Sequence, residues 1–252
     1  MVKRVILIDF YSIYVVEELF VKTINNMGYQ ANELDPISHM FVDYAADQGK
    51  NGKWSLDIGC AYGAASLPAL ERGAKLYCND LSAKHFDSFS DFVKKFETRF
   101  IAGDFRQADI PHDYFYAALC SRVLHFLTPK EVLPALRNIK DFLVTQGKLF
   151  LVVETPFLSN WKAYLPEYNL RKKSKHLWPG FIEHIAEIES SGRKENLPSY
   201  MHFFDIDTLV RVLCEVGFTI EEITYIDRKG QFPDDLLLDG RESIGVIASK
   251  VG

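Results

Sequence analysis

No stretch of this chain approaches the roughly 20 consecutive apolar residues needed to cross a bilayer, so nothing in it reads as a membrane-spanning helix. Cysteine is sparse, at four in 252 residues. Cys60, Cys78, Cys120 and Cys214 show no metal-ligand spacing and sit inside apolar strand or helix patterns. They read as buried free thiols of a reducing, cytoplasmic compartment, and no metal site is expected. Positive charge is not in excess: 29 Lys and Arg against 34 Asp and Glu leave a net charge of −5. A duplex nucleic-acid binder would normally carry a basic field. A cleavable leader is not expected either. Lys3 and Arg4 precede Val5 to Ile8, but Asp9 interrupts that run, Glu17 and Glu18 follow, and no small-residue cleavage site appears. What is present is 48% apolar content with balanced charge. That excludes disorder, and the length suits one α/β domain with a large core.

The most informative stretch runs from Ser55 to Ser82. Leu56 and Ile58 bracket Asp57 in a buried strand, and Gly59, Ala61 and Gly63 follow at alternate positions. Glycines at 59 and 63 let the backbone turn sharply and lie against a flat ligand. Ala64 to Arg72 suits a helix stopped by Gly73. A second apolar run ends in Asp80, at the distance where an acid accepts hydrogen bonds from ribose hydroxyls. The unit binds a nucleoside. It is not the dinucleotide fingerprint, which needs glycines at the first, third and sixth loop positions. Gly59, Ala61 and Ala64 stand there, so only the first survives.

The spacing acid-x-Gly-x-small-x-Gly, with Asp57 two residues before Gly59, resembles motif I of the class I S-adenosylmethionine-dependent methyltransferases. Ala61 replaces the middle glycine, a departure that family often tolerates. Two later segments extend the resemblance. Phe100 to Phe105 looks like the third-strand motif, and Tyr116 to Ser121 followed by Arg122 to Leu127 is similar to the strand end lining the methyl-transfer site. The resemblance covers Trp54 to Glu154 closely and Met201 to Ser249 more loosely. The acid that relatives often carry near the start of the fourth strand is missing, with Tyr116 and Ala117 at that position.

The resemblance implies a doubly wound α/β fold: a mostly parallel, seven-stranded, Rossmann-like sheet with an antiparallel last strand. It implies S-adenosyl-L-methionine as cofactor and S-adenosyl-L-homocysteine as product. Asp57 would orient the amino-acid end, with the backbone of Gly59, Cys60, Ala61, Tyr62 and Gly63 close beneath. Asp80 would grip the ribose, with Leu81 beside it. Asp104 would bond the adenine amino group, with Phe105 packing near the ring and Ser121 at the fourth strand end. Tyr44 is a candidate to reach the same pocket from the N-terminal region.

The rest of the chain frames this unit as four parts: an N-terminal helical cap over 1–50, a cofactor core over 51–154, a lid insertion over 155–200, and the remaining core over 201–252. Helices are expected over 10–26, 36–48 and, on an amphipathic pattern, His85 to Glu97. Thr128-Pro129-Lys130-Glu131 is a capping box opening a further helix. Asp205 caps one that Gly217 stops, and strands follow at Ile220 to Ile226 and Ser243 to Ser249. The insertion carries Phe157, Trp161, Tyr164, Tyr168, Trp178, Phe181 and Tyr200 beside the basic run Arg171 to His176. It reads as a lid whose aromatics wall the acceptor, or as surface decoration packed on the domain. If a general base is used, His125 is the first candidate and His202 the second, with Tyr200 as hydrogen-bonding partner; Glu154 is a further candidate to face the acceptor. The leading function is methyl transfer to a small-molecule O, N or C nucleophile, aromatic or partly apolar. The alternatives are a protein or RNA methyltransferase docking through 171–176, or a non-catalytic cofactor-binding regulator.

Overall fold

The structure, a computed structural model, describes residues 5–9, 12–16 and 19–252. Seven strands form the central sheet: β1 (Trp54–Ile58), β2 (Lys75–Asp80), β3 (Thr98–Ala102), β4 (Phe115–Ser121), β5 (Leu143–Glu154), β6 (Phe218–Ile226) and β7 (Ser243–Lys250). Their order is β6-β7-β5-β4-β1-β2-β3. β1 pairs in parallel with β2 on one side and β4 on the other. The chain therefore reverses its direction of winding between β1 and β4, and ligands of such sheets bind outside the strand ends at that switch. β7 is the exception, antiparallel to both β5 and β6, between which it lies.

The strands are apolar on both faces because helices cover both. In β5, Leu149, Leu151 and Val153 point into one core with α5 (Pro129–Phe142) and α7 (Ile206–Val216). The alternate residues Phe150 and Val152 point into a second core with α1 (Pro36–Lys50) and α2 (Ser66–Glu71). This two-residue period is the pleat of a strand buried on both sides. The caps hold as the local chemistry demands. Glu131 accepts from both the backbone N–H (2.8 Å) and the hydroxyl (2.7 Å) of Thr128. Asp205 accepts from the Thr208 N–H at 2.7 Å, and Gly217 ends α7 in the left-handed region at φ 87°.

Three expectations fail. The described residues of 10–26 do not form a helix: Ser12–Val16 pairs antiparallel with Val5–Asp9, and Phe20–Lys22 pairs with Tyr29–Ala31. β-Branched and aromatic residues suit that pairing, and Asn26 and Gly28, both at positive φ, make the second turn. The helical spacing of Val16, Leu19, Phe20 and Ile24 was coincidental. His85 to Glu97 breaks into α3 (Ala83–Asp87) and α4 (Ser90–Val93). The Ser88 hydroxyl bonds the His85 carbonyl at 2.7 Å, the local competition by which serine interrupts helices. Its apolar side still packs as core through Phe86, Phe89 and Val93. Finally, Cys60, Cys78 and Cys120 are buried free thiols, but Cys214 is exposed on α7.

Candidate functional site

A cavity of about 330 Å³ opens at the carboxyl ends of β1, β2 and β4. The β1–α2 turn forms its floor, through Gly59, Cys60 and Ala61. Gly59 stands at φ 70°, and a Cβ there would lie 2.4 Å from Val123 Cγ2, so no side chain fits. Ala61 is held at φ 44°, a conformation costly for a residue with a Cβ. The bond that fixes it comes from β2: Asp80 Oδ2 accepts the Ala61 N–H at 3.0 Å.

Asp80 is the hub of this site. Its Oδ1 accepts from the Ser82 N–H at 2.9 Å and from His85 Nδ1 at 2.8 Å. His85 Nε2 in turn accepts the Ile24 N–H at 3.1 Å, so the ring proton resides on Nδ1 and the imidazole donates to Asp80. A carboxylate offers about four lone-pair sites. Three are occupied here, and the one remaining, on Oδ2, has room for a single ligand hydroxyl. Asp57, buried beneath the turn, accepts the Ser66 hydroxyl at 2.6 Å. Burial raises its pKa to about 7, with Ser66 opposing and the Asp80 charge reinforcing the shift. Asp104 is tied to Arg106, whose guanidinium holds its carboxyl below the ordinary range.

Of the residues singled out from the sequence, the fold brings Asp57, Gly59, Cys60, Ala61, Asp80, Leu81, Asp104, Phe105, Ser121, His125 and Tyr200 to this one cavity. It does not bring Tyr62, Gly63, Tyr44 or His202. Tyr62 turns outward and pins the Phe20–Lys22 hairpin, its hydroxyl donating to Lys22 O and its N–H to Gln30 Oε1, both at 2.9 Å. Gly63 admits the close packing of Leu67 and Phe89. Tyr44 packs against Phe150 on the sheet. His202 lies among Trp178, Phe181 and Phe204, its Nδ1 3.1 Å from Leu127 O. Burial lowers the pKa of both His202 and His125 to about 4. His125 is buried with an unpartnered Nδ1, its ring edge-on to Phe126 at 4.2 Å.

The covering of the cavity also differs from expectation. Thr23, Asn25, Met27, Tyr29, Gln30 and Leu34 line it, whereas Tyr200 alone does so from 155–200. Trp161, Tyr164 and Tyr168 pack instead with Ile182, Phe203 and Phe232 as a third small core. The insertion's aromatics are mainly packing, and the N-terminal hairpin roofs the site. Trp161 also borders a smaller neighbouring cavity of about 50 Å³, shared with Arg122, His125 and Glu154. The residues missed from sequence are His85, Arg122 and Arg228. The Asp80-to-His85 spacing at a helix start offered one faint signal. Arg122 carries another only in its backbone: at φ 59° it is strained, as strand-end residues at sites often are. Its guanidinium engages Glu154, with Nε 3.0 Å from Oε1. Burial opposes ionisation of Glu154, but Arg122 and His125 outweigh it and hold the carboxyl below its ordinary value. Among the described residues, no cluster of three His, Cys, Asp or Glu is placed to hold a metal ion, and no helix is long and apolar enough to cross a membrane.

A doubly wound α/β domain with a glycine turn, a second-strand acid and a third-strand acid around one cleft has the architecture of nucleoside-binding domains. Residues 56–147 match the family model described as a methyltransferase domain. No curated protein matches the sequence. Solved structures similar in fold include an S-adenosylmethionine-dependent methyltransferase of Methanosarcina mazei, 19% identical, covering 87% of this chain and 99% of that one at a TM-score of 0.62. The 1,6-didemethyltoxoflavin N1-methyltransferase of Burkholderia thailandensis, with its substrate and S-adenosylhomocysteine bound, is 16% identical (86% and 80% covered, TM-score 0.57). The magnesium protoporphyrin IX methyltransferase of Synechocystis PCC 6803, with S-adenosylhomocysteine bound, is 17% identical (84% and 82% covered, TM-score 0.52). The chain thus shares the fold of S-adenosylmethionine-dependent methyltransferases, and its residues 56–147 match a methyltransferase domain.

Proposed function

We propose that the chain methylates a small-molecule acceptor, aromatic or partly apolar, held beside Arg122, His125, Phe126 and Tyr200. One observation carries this reading: a single cavity is lined by the Gly59–Ala61 turn, by Asp80 and Asp104, and by His125, Phe126 and Tyr200. Its volume, about 330 Å³, falls in the range of small-molecule sites. The cradle fits the cofactor, because the floor at Gly59 tolerates no Cβ and Asp80 keeps one acceptor site free. In this reading Asp57 and the Gly59–Ala61 backbone hold the amino-acid end, Asp80 takes a ribose hydroxyl, and Asp104 takes the adenine amino group. Leu81, Phe105 and Ser121 complete the walls.

The bound cofactor supplies a methyl group made electrophilic by its sulfonium. The chain's own task is to place the nucleophile in line and exclude water, and near-attack positioning is worth on the order of 7–11 kcal/mol. His125 is neutral at physiological pH, since burial lowers its pKa to about 4, and its Nδ1 is unpartnered. As a neutral imidazole it can accept a hydrogen bond that orients the acceptor, but its lowered pKa makes it a weak base. The Tyr200 hydroxyl donates to Phe126 O at 3.1 Å, which leaves its oxygen to accept from the acceptor. The basic run at 171–176 gives less support to a macromolecular substrate, because Arg171 is paired with Glu167 and Lys172 with Asp205 and Asp207.

The test is calorimetry with S-adenosylhomocysteine, followed by transfer of labelled methyl to a panel of phenols, amines and nitrogen heterocycles. Micromolar cofactor binding and turnover of at least one panel member are expected. Labelling of protein or RNA with no small molecule turned over would refute the acceptor class; absence of cofactor binding would refute the whole reading.

A further inference from the structure

Arg228 lies two residues beyond the end of β6 and is only 1% exposed, the largest fully buried side chain among the described residues. It lines the same cavity as Gly59, Asp80 and His125. Its Nη1 stands 3.4 Å from Asp35 Oδ2. Yet neither Nη1 nor Nε has a hydrogen-bond partner among the described residues. A guanidinium taken out of water without such bonds is strongly unfavourable, and a native site keeps one only where something else completes it.

The nearby acids are already engaged. Asp35 caps α1, its Oδ1 accepting the Ser38 N–H at 2.9 Å and its Oδ2 the Ser38 hydroxyl at 2.8 Å. Glu154 is held by Arg122. The Phe232 ring lies against both guanidiniums, 4.3 Å from Arg228 and 5.0 Å from Arg122, and fixes their planes. Arg228 is therefore a rigid, dry cation on the cavity wall with open donors. Burial lowers its pKa to about 10, with Asp35 opposing, so it keeps its charge at neutral pH.

Resting on the reading of this cavity as a methyl-transfer site, we infer that Arg228 is the receptor for a carboxylate of a bound small molecule. The guanidinium fork matches two coplanar oxygens and forms charge-assisted bonds that a lysine cannot reproduce. Asp35, Asp57, Asp80 and Asp104 also line the cavity, which favours a singly charged carboxylate over a dianionic phosphate. That carboxylate has two sources in this reaction: the amino-acid end of the cofactor, or an acidic acceptor.

The experiment titrates wild type, Arg228→Met and Arg228→Lys with two ligand pairs by calorimetry. The first pair is S-adenosylhomocysteine and its decarboxylated homologue. The second is benzoate and benzamide, added to protein saturated with S-adenosylhomocysteine. Arg228→Met is expected to weaken the carboxylate member of one pair by about 10- to 100-fold and to leave its carboxylate-free partner unchanged. Arg228→Lys should recover only part of the loss, and it serves as the folded variant should the methionine substitution not fold. Whichever pair responds names the source. Equal losses for both members of a pair, or no loss in either pair, overturn the inference. A wild-type chain that binds S-adenosylhomocysteine while these variants behave so refutes the role of Arg228 alone; one that binds none refutes the underlying reading.

Discussion

Replacing Asp80 with alanine removes more than the proposed contact to a ribose. Its carboxylate is 4% exposed and receives three donors: Ala61 N–H, Ser82 N–H and His85 Nδ1–H. Each orphaned donor costs about 1–3 kcal/mol. The terms are not additive, and removal of one partner from a buried charged cluster costs about 3–5 kcal/mol in total. Asp80→Asn separates the components. Its carbonyl oxygen can take the place of Oδ1 and keep Ser82 and His85, while its NH₂ then faces the Ala61 N–H and loses that bond. Only about 1–3 kcal/mol should be lost. Urea denaturation followed by circular dichroism should rank wild type above Asp80→Asn above Asp80→Ala, with equal m-values. Calorimetry on the folded Asn variant should show S-adenosylhomocysteine weakened by about 1.5–3 kcal/mol, because the free Oδ2 site is gone and the turn is loosened. An Asp80→Ala chain that unfolds at the wild-type midpoint would sink the argument that this carboxylate ties β2 to the turn and to the hairpin.

The other expectations are simpler. Gly59→Val should abolish S-adenosylhomocysteine binding, since a Cβ would sit 2.4 Å from Val123 Cγ2 at φ 70°; a variant that binds normally rules out close backbone approach. Asp57 has a folded pKa of about 7, above its unfolded value of 3.8, so the folded state holds the extra proton between those values and its contribution to stability falls as pH rises through 7. Asp57→Asn should remove that penalty, on the order of 4 kcal/mol at pH 8, and unfolding curves from pH 5 to 8 that stay parallel to wild type would contradict it. His202 runs the opposite way: a folded pKa of about 4 means stability present above pH 6.5 and lost as pH falls toward 4. His202→Phe should therefore flatten the acid limb without changing cofactor affinity, and a large change in affinity would place His202 in the site after all. His125→Ala should cut turnover with cofactor binding unchanged; wild-type rates across a pH series leave it as packing.

The proposed cofactor half of the site was legible because it is local. Asp57, Gly59, Ala61 and Asp80 lie within 24 consecutive residues of one strand–turn–helix–strand unit, and the turn can be made only by residues that accept positive φ. Tyr62 and Gly63 belong to the same motif yet leave the cavity, because Tyr62 is tied to the N-terminal hairpin and Gly63 packs against Leu67 and Phe89. The proposed acceptor half was poorly legible. Arg122, Arg228 and Tyr200 come from three distant segments, and no spacing announces that they share a wall. The N-terminal hairpin was misjudged for a related reason: short β pairing depends on a partner strand and on Tyr62 and His85, neither visible in a window of residues 10–26.

By itself, the sequence determined the strand–turn–helix–strand unit at 55–82, the helix caps and the motif resemblance that implied a doubly wound sheet, since strand periodicity, capping residues and glycine placement are short-range properties written in adjacent residues. Tertiary structure alone decided what covers the cleft, that the insertion's aromatics pack on one another, and that a buried guanidinium with two unbonded nitrogens ends up beside it. Those outcomes depend on long-range burial, in which the partner of each group is chosen by the fold rather than by its neighbours in the chain.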